Sequence, residues 1–214
     1  MKQYKIYMIN PEYMNRLREV DEHVPQLGDD SYHWRPFIGS VMNEDGYEWL
    51  IDFSSYKPQK EYIYDMGKLF TFKMMDNQYS NVTLSTVNLR YMVPVPECAI
   101  AEVDLDDLQM ARRFLTYTDQ IKFKRVLKKQ LDSANKQARY INEAAKNLYA
   151  RTIVFPEDDL SKICLRYKDL SDVCKEWDKE HTIDKNINYE RLDQFDADPF
   201  FIGEEEKKCT KRRR

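Results

Sequence analysis

Glycine is scarce in this chain: five residues in 214. A Rossmann or P-loop phosphate cradle concentrates several glycines in one short loop, so both are excluded. Histidine is scarcer, at three, and the four cysteines, Cys98, Cys164, Cys174 and Cys209, are scattered with no C-x-x-C pair. That spacing argues against a metal centre, no cofactor is indicated, and scattered cysteines of this kind suit a reducing cytoplasm. No apolar run approaches the roughly eighteen residues of a membrane span, and M-K-Q-Y-K-I-Y lacks the apolar core of a secretion signal, so no membrane partner is expected.

What is present is unevenly charged. The net charge is −3. Residues 1–110 carry ten Lys and Arg against eighteen Asp and Glu, whereas residues 111–151 carry eleven against Asp119, Asp132 and Glu143 alone. A basic segment inside an otherwise acidic protein favours an anionic partner, with Lys122, Lys128, Lys129 and Lys136 as candidate RNA-binding residues. A solvated lysine face is the plainer alternative.

K-I-Y-M-I reads as a first strand, ended by Asn10-Pro11, a favourable helix start for the ten residues that follow. F-I-G-S-V-M and Y-E-W-L-I-D-F flank N-E-D-G, whose Asp-Gly step signals a hairpin. Further strands are expected at L-F-T-F-K-M-M, V-T-L-S-T-V, Y-M-V-P-V and A-I-A-E-V-D-L. From residue 107 to 152 there is no Gly or Pro. Ala111, Leu115, Ile121, Val126 and Leu131, then Ala134, Ala138, Ile141, Ala145 and Leu148, suggest the buried stripe of a long helix. Another helix is expected from Pro156 to about Glu180. The domain reading is one unit over 1–180, with a β part to about 105 and a helical part from about 106. An irregular extension (181–203) and a charged, disordered tail (204–214) follow.

Two short stretches could carry chemistry. D-F-S-S-Y-K-P, residues 52–58, ends a strand with two hydroxyls, Ser54 and Ser55, and the ammonium of Lys57. Together they can converge on one anionic group. A polar turn with a solvated lysine would look the same. S-Y-H-W-R-P-F, residues 31–37, offers Tyr32, His33, Trp34 and Arg35: stacking surfaces, an imidazole and a guanidinium suited to single-stranded RNA.

Taken in order, these pieces resemble one family. They are Tyr13 within Y-M-N-R-L-R-E-V-D-E-H-V-P, F-I-G-S-V after Tyr32 and Arg35, F-S-S-Y-K, then Y-M-V-P-V-P and A-A-K-N-L-Y. Over about residues 4–180 the chain resembles the endoribonuclease toxins of type III toxin–antitoxin systems, the ToxN/AbiQ family, in which F-S-S-Y-K looks like a Thr-Ser-x-Lys catalytic turn. Ser54 stands where threonine is common, and Arg35 where some members carry lysine.

The resemblance implies an α+β fold whose core is a small, strongly curved antiparallel β-barrel of MazF/Kid type, elaborated by long C-terminal helices. It implies metal-independent RNA cleavage by 2′-hydroxyl attack, giving a 2′,3′-cyclic phosphate and a 5′-hydroxyl. Cellular or phage mRNA would be the substrate. A small repetitive, pseudoknotted antitoxin RNA, processed and bound by the toxin, would hold it inactive in a toxin–RNA hetero-oligomer. On that reading Lys57 stabilises the phosphorane, and Ser54 and Ser55 bind its oxygens or position the 2′-hydroxyl. Tyr13 and Tyr32 orient nucleotides, Arg35 grips phosphate, and His33 and Trp34 add RNA contacts. The competing class is a non-catalytic RNA-binding or adaptor module built on the basic helical segment.

Overall fold

The computed structural model describes residues 3–27, 35–58, 70–79, 81–106 and 116–182. Strand β1 (Lys5–Ile9) leads into helix α1 (Pro11–Val20). Asn10 caps that helix as its sequence suggests: its Oδ1 accepts from the Glu12 and Tyr13 backbone N–H groups at 2.8 and 3.3 Å. Strands β2 (Phe37–Glu44) and β3 (Tyr47–Asp52) form the expected hairpin. Its turn residues Asp45 and Gly46 have φ of 54° and 87°, the positive values that tight hairpin turns demand and that Asp and Gly tolerate best. Gly39 in β2 is needed for a different reason. A Cβ there would come within 1.8 Å of Leu50 Cδ2 across the hairpin, so the bare backbone makes room for a core leucine.

Strands β4 (Ser54–Ser55), β5 (Thr71–Met75), β6 (Thr83–Asn88), β7 (Val93–Val95) and β8 (Ile100–Glu102) complete two antiparallel sheets. One has the order β7-β3-β2-β1-β8 and the other β4-β6-β5. The expected closed barrel is therefore not what forms: among the described residues the sheets stay separate. They are linked at Phe53, where the chain leaves β3 for β4. Pro94, unable to donate to a ladder, sits in the edge strand β7, where proline is tolerated.

Helix α2 (Tyr117–Val154), 38 residues long, runs past both sheets. Thr116 caps it through Oγ1, which accepts from the Asp119 N–H at 3.2 Å. Its buried positions are Leu127, Ala134, Ala138, Ile141, Ala145 and Leu148, joined by Gln120, Ser133 and Thr152. The second half of the expected stripe is thus buried and Leu131 packs against the core, but Ile121 and Val126 are out of phase. Both are exposed, because the face continued from Ala134 passes through Leu127. Polar side chains on this helix also satisfy backbone groups on the open edge of β5 and at Tyr4, just before β1. Ser133 Oγ accepts from the Met75 N–H at 2.9 Å, Gln137 Nε2 donates to the Lys73 carbonyl at 3.0 Å, and Asn135 Oδ1 accepts from the Tyr4 N–H at 2.7 Å.

The single helix expected after Pro156 is two, α3 (Asp159–Lys162) and α4 (Tyr167–Thr182). No Gly or Pro breaks it. The backbone N–H of Leu165 instead donates to the Arg90 carbonyl at 3.1 Å, and that of Arg166 to the buried Asp21 carboxylate at 2.9 Å. Burial alone would raise the Asp21 carboxyl, but the N–H groups of Arg166 and His23 outweigh it and hold it below its ordinary range. Residue α4 Tyr167 joins Trp49 and Tyr149 in an aromatic cluster with ring centroids 5.3–6.0 Å apart. The expected helix start over 107–115, with Ala111 and Leu115, lies outside the described residues, as do the extension and tail beyond residue 182.

Candidate active site

Phe53 carries the chain directly from the larger sheet into the edge of the smaller one. There Ser54 lies opposite Thr86, and Ser55 opposite Ser85. The next ladder continues each row, Thr86 to Lys73 and Ser85 to Met74. Residues directly opposite share a face. One face thus carries Ser54–Thr86–Lys73 and the other Ser55–Ser85–Met74. Thr86, Ser85 and Met74 are buried, Ser54 and Lys73 half-buried, and Ser55 and Lys57 exposed. The expected convergence of all three groups is therefore not what the strand gives: Ser54 and Ser55 leave the edge strand on opposite faces, each with a further hydroxyl behind it, and Lys57 follows two residues after the strand ends. Only one neighbouring strand covers β4 among the described residues.

Arg35 reaches this region through Asp52, two residues before Ser54. Its Nε is 3.0 Å from Asp52 Oδ2, and its Nη1 donates to the Gln26 carbonyl at 3.0 Å. Asp52 is buried, whereas about a third of the Arg35 side chain is exposed (36%), so the fork is anchored from behind and presents its far side to solvent. Burial pushes the Asp52 carboxyl above its ordinary range, and the nearby guanidinium only partly opposes this. The Nη1 bond also pins Gln26 to Arg35, the two flanks of the segment that carries Tyr32, His33 and Trp34. Those three residues lie outside the described residues.

Tyr13 departs from expectation. It has no exposed surface, its O–H donates to the Pro94 carbonyl at 2.6 Å, and its ring meets Trp177 edge-on at 5.3 Å. Burial drives its pKa well above the ordinary value. A side chain so enclosed cannot stack on a nucleotide, and Tyr13 is a core anchor between α1, β7 and α4.

The α2 lysines are also more committed than a charge count suggests. Lys129 pairs with Asp76 at 2.8 Å, with only a quarter of its side chain exposed, and Lys136 donates to Asn77 Oδ1 at 2.6 Å. Lys128 pairs with Asp106, and Lys122 lies 3.9 Å from Asp119, one turn before it. The Lys129 hydrogen bond, helped by the Gln78 N–H, holds the Asp76 carboxyl below its ordinary range. Lys129 and Lys136 thus fasten the β5–β6 loop to the helix.

Sequence reasoning passed over Asp52, Ser85 and Thr86. Asp52 had a visible signal, a carboxylate closing the apolar run W-L-I-D. The paired hydroxyls in V-T-L-S-T-V had none until register placed them opposite the serines. Among the described residues no three His, Cys, Asp or Glu side chains form a group that could hold a metal ion. Burial pushes the Cys174 thiol up to about 12, which leaves it protonated and inert. A surface depression of about 710 Å³ at the end of α2, lined by Arg151, Val154, Phe155, Pro156, Glu157 and Asp158, shares no residue with the serine–lysine edge.

The model of the family described as toxin ToxN, type III toxin–antitoxin system, matches residues 5–175. The chain belongs to the ToxN family. It is 30% identical over 105 residues to the endoribonuclease ToxN of Pectobacterium atrosepticum, covering 49% of this chain and 61% of that one. To the endoribonuclease ToxN of Bacillus thuringiensis subsp. kurstaki it is 29% identical over 101 residues, covering 47% and 48%. The matched segments span about half to three-fifths of the lengths of these ToxN relatives. Solved structures agree in fold over most of the chain. AbiQ, a lactococcal anti-phage endoribonuclease of a type III system, superposes with a TM-score of 0.69 at 16% identity, covering 83% of this chain and 99% of AbiQ. The toxin of a type III system inhibited by a non-coding RNA pseudoknot gives 0.68 at 20%, covering 82% and 98%. The ToxN-family fold, an α+β arrangement of antiparallel sheets and long helices, is therefore shared across these proteins.

Proposed function

We propose that this chain is a metal-independent endoribonuclease toxin of a type III toxin–antitoxin system, working in the cytoplasm on cellular or phage mRNA. The observation that carries this reading is the sheet margin of a ToxN-family chain at which Ser55 and, two residues on, Lys57 are both exposed, with Arg35 held by Asp52 just upstream. RNA brings its own nucleophile. The 2′-oxygen bonds to phosphorus, the bond from phosphorus to the 5′-oxygen breaks, and the 2′-proton is taken up as the leaving 5′-oxygen gains one. The products are a 2′,3′-cyclic phosphate and a 5′-hydroxyl. Lys57 stabilises the charge that builds on the phosphorane, while Ser55 donates to one of its non-bridging oxygens; Ser54, on the opposite face of β4, takes no part at that phosphorus. The exposed side of Arg35 holds a neighbouring phosphate through its planar fork.

A small pseudoknotted RNA, processed by the toxin, is the proposed inhibitor, bound in a toxin–RNA assembly. Lys122 and Lys128, exposed on α2, are the helix lysines suited to its backbone, whereas Lys129 serves the protein's own loop. We read the two sheets, continuous through Phe53, as an opened relative of the MazF/Kid barrel. The free thiols of Cys98, Cys164 and Cys174 fit a reducing compartment.

The test is incubation of purified protein with mixed RNA in EDTA, followed by end analysis. New 5′-hydroxyl and cyclic-phosphate ends are expected. Intact RNA retained in a complex would point instead to a binding module without catalysis.

A further inference from the structure

Ser85 is buried in the central strand of the smaller sheet, with 1% of its surface exposed, and its Oγ has no hydrogen-bond partner. Such a hydroxyl has given up water without replacement, a standing destabilisation that a native protein keeps for a reason. Its neighbours in the row are Met74, whose thioether is a feeble acceptor, and Ser55, exposed at the edge. Residues directly opposite in antiparallel strands bring their Cβ atoms within about 5.5 Å, on one face. A turn about each Cα–Cβ bond then lets the two hydroxyls meet. The strand is also deformed at this point. The β5–β6 register slips between Met74, opposite Ser85, and Met75, opposite Thr83, which leaves Leu84 as a bulge residue beside Ser85. Bulges re-aim the side chains next to them.

We infer that Ser85 is a positioning residue for Ser55. This inference rests on the proposed role of Ser55 at the scissile phosphate. When Ser55 turns its own proton towards a non-bridging oxygen, its lone pairs need a donor. Ser85 supplies one from below, fixing the Ser55 rotamer and polarising its O–H. The buried hydroxyl is then satisfied only in the reacting complex, so the interaction favours the transition state over free enzyme.

Stability and activity should therefore move in opposite directions. In Ser85→Ala the unpaired hydroxyl is gone, so Tm is expected to hold or rise, while kcat for RNA cleavage falls about five- to ten-fold with KM within about two-fold. Ser85→Thr keeps the hydroxyl and should recover most of kcat. In a Ser55→Ala background, read by single turnover, adding Ser85→Ala should cost nothing further. A fall in Tm with kcat intact, or a full-sized loss persisting without Ser55, overturns the inference and leaves the endoribonuclease reading standing. Failure of the unsubstituted protein to cleave RNA at all removes that reading, and this one with it.

Discussion

The serine–lysine edge and the basic face of α2 are both rich in groups that suit RNA, but the fold treats them differently. On β4, two residues of strand leave Ser55 and Lys57 exposed at a sheet margin, with buried hydroxyls behind and a clamped guanidinium upstream. On α2, Lys129 and Lys136 bend back onto Asp76 and Asn77 to tie down a hairpin loop. Both regions are rich in polar side chains, but only the first sets its own at a sheet margin with buried hydroxyls in the rows behind, whereas the second uses two of its lysines to hold a loop. Local charge density measures how many cations a segment holds, not how many it can lend.

The sharpest way to break this contrast is Lys57→Ala. Loss of a charge that acts mainly on the phosphorane should lower kcat by about 10²–10³-fold while RNA affinity changes only a few-fold. Cleavage assays paired with binding titrations check this. Equal losses in both would make the edge a docking point, no different in kind from α2.

Asp52→Asn should have a smaller effect, about three- to ten-fold on cleavage, by loosening Arg35. The pH dependence that Asp52 gives to stability has the opposite sign to that of an ordinary ion pair. Burial raises the folded-state pKa of Asp52, so the folded form binds its proton more tightly than the unfolded chain does. The favourable contribution is present at low pH and is lost as pH rises through that raised value. Asparagine carries no charge to titrate, so thermal melts across this pH range should lose the part of the pH dependence that Asp52 contributes. A pH dependence unchanged by the substitution would overturn this account of the carboxyl.

On the helix, Lys129→Ala should leave cleavage and RNA affinity nearly unchanged yet speed hydrogen exchange at the Asp76, Gln78 and Val82 amides. The Asp76 pKa is depressed, so this anchoring is complete above roughly pH 4 and is lost as pH falls below it. A melt series from pH 5 to 2 should show that loss in the unsubstituted protein and little of it in the variant. The smallest effect belongs to Lys122→Ala, expected to reduce the slope of log affinity against log salt by about one while Lys129→Ala leaves it unchanged. If Lys129→Ala flattens the slope as much, its pairing with Asp76 gives way to RNA, and the two regions are more alike than the free protein indicates.

Much of the fold was legible before any coordinates. The first strand, the Asn10-Pro11 helix start, the Asp45-Gly46 turn and the approximate strand positions all obey rules that act over a few residues. The candidate edge was equally visible as F-S-S-Y-K. Sheet closure was not, because the separation of the two sheets depends on which strands find each other. The α2 stripe was misread at Ile121 and Val126 for a related reason: both have the right chemistry for burial, but the phase of a helix is set by the surface it lands on. Tyr13 shows the limit most clearly. Nothing about a tyrosine in the first turn of a helix says whether its hydroxyl will meet solvent or the Pro94 carbonyl, 81 residues away.

By itself the sequence determined local geometry and chemical inventory: where backbone dihedrals turn, where helices start, which hydroxyls and ammonium travel together. Tertiary structure alone decided that the helix after Pro156 breaks at residues 163–166, that Arg35 is backed by Asp52, and that Ser85 lies behind Ser55. The physical reason is the same in each case. Turns and caps are satisfied by atoms a few residues away, whereas the Arg166 N–H finds its acceptor in Asp21, 145 residues distant. No local preference can encode a partner that only folding brings near.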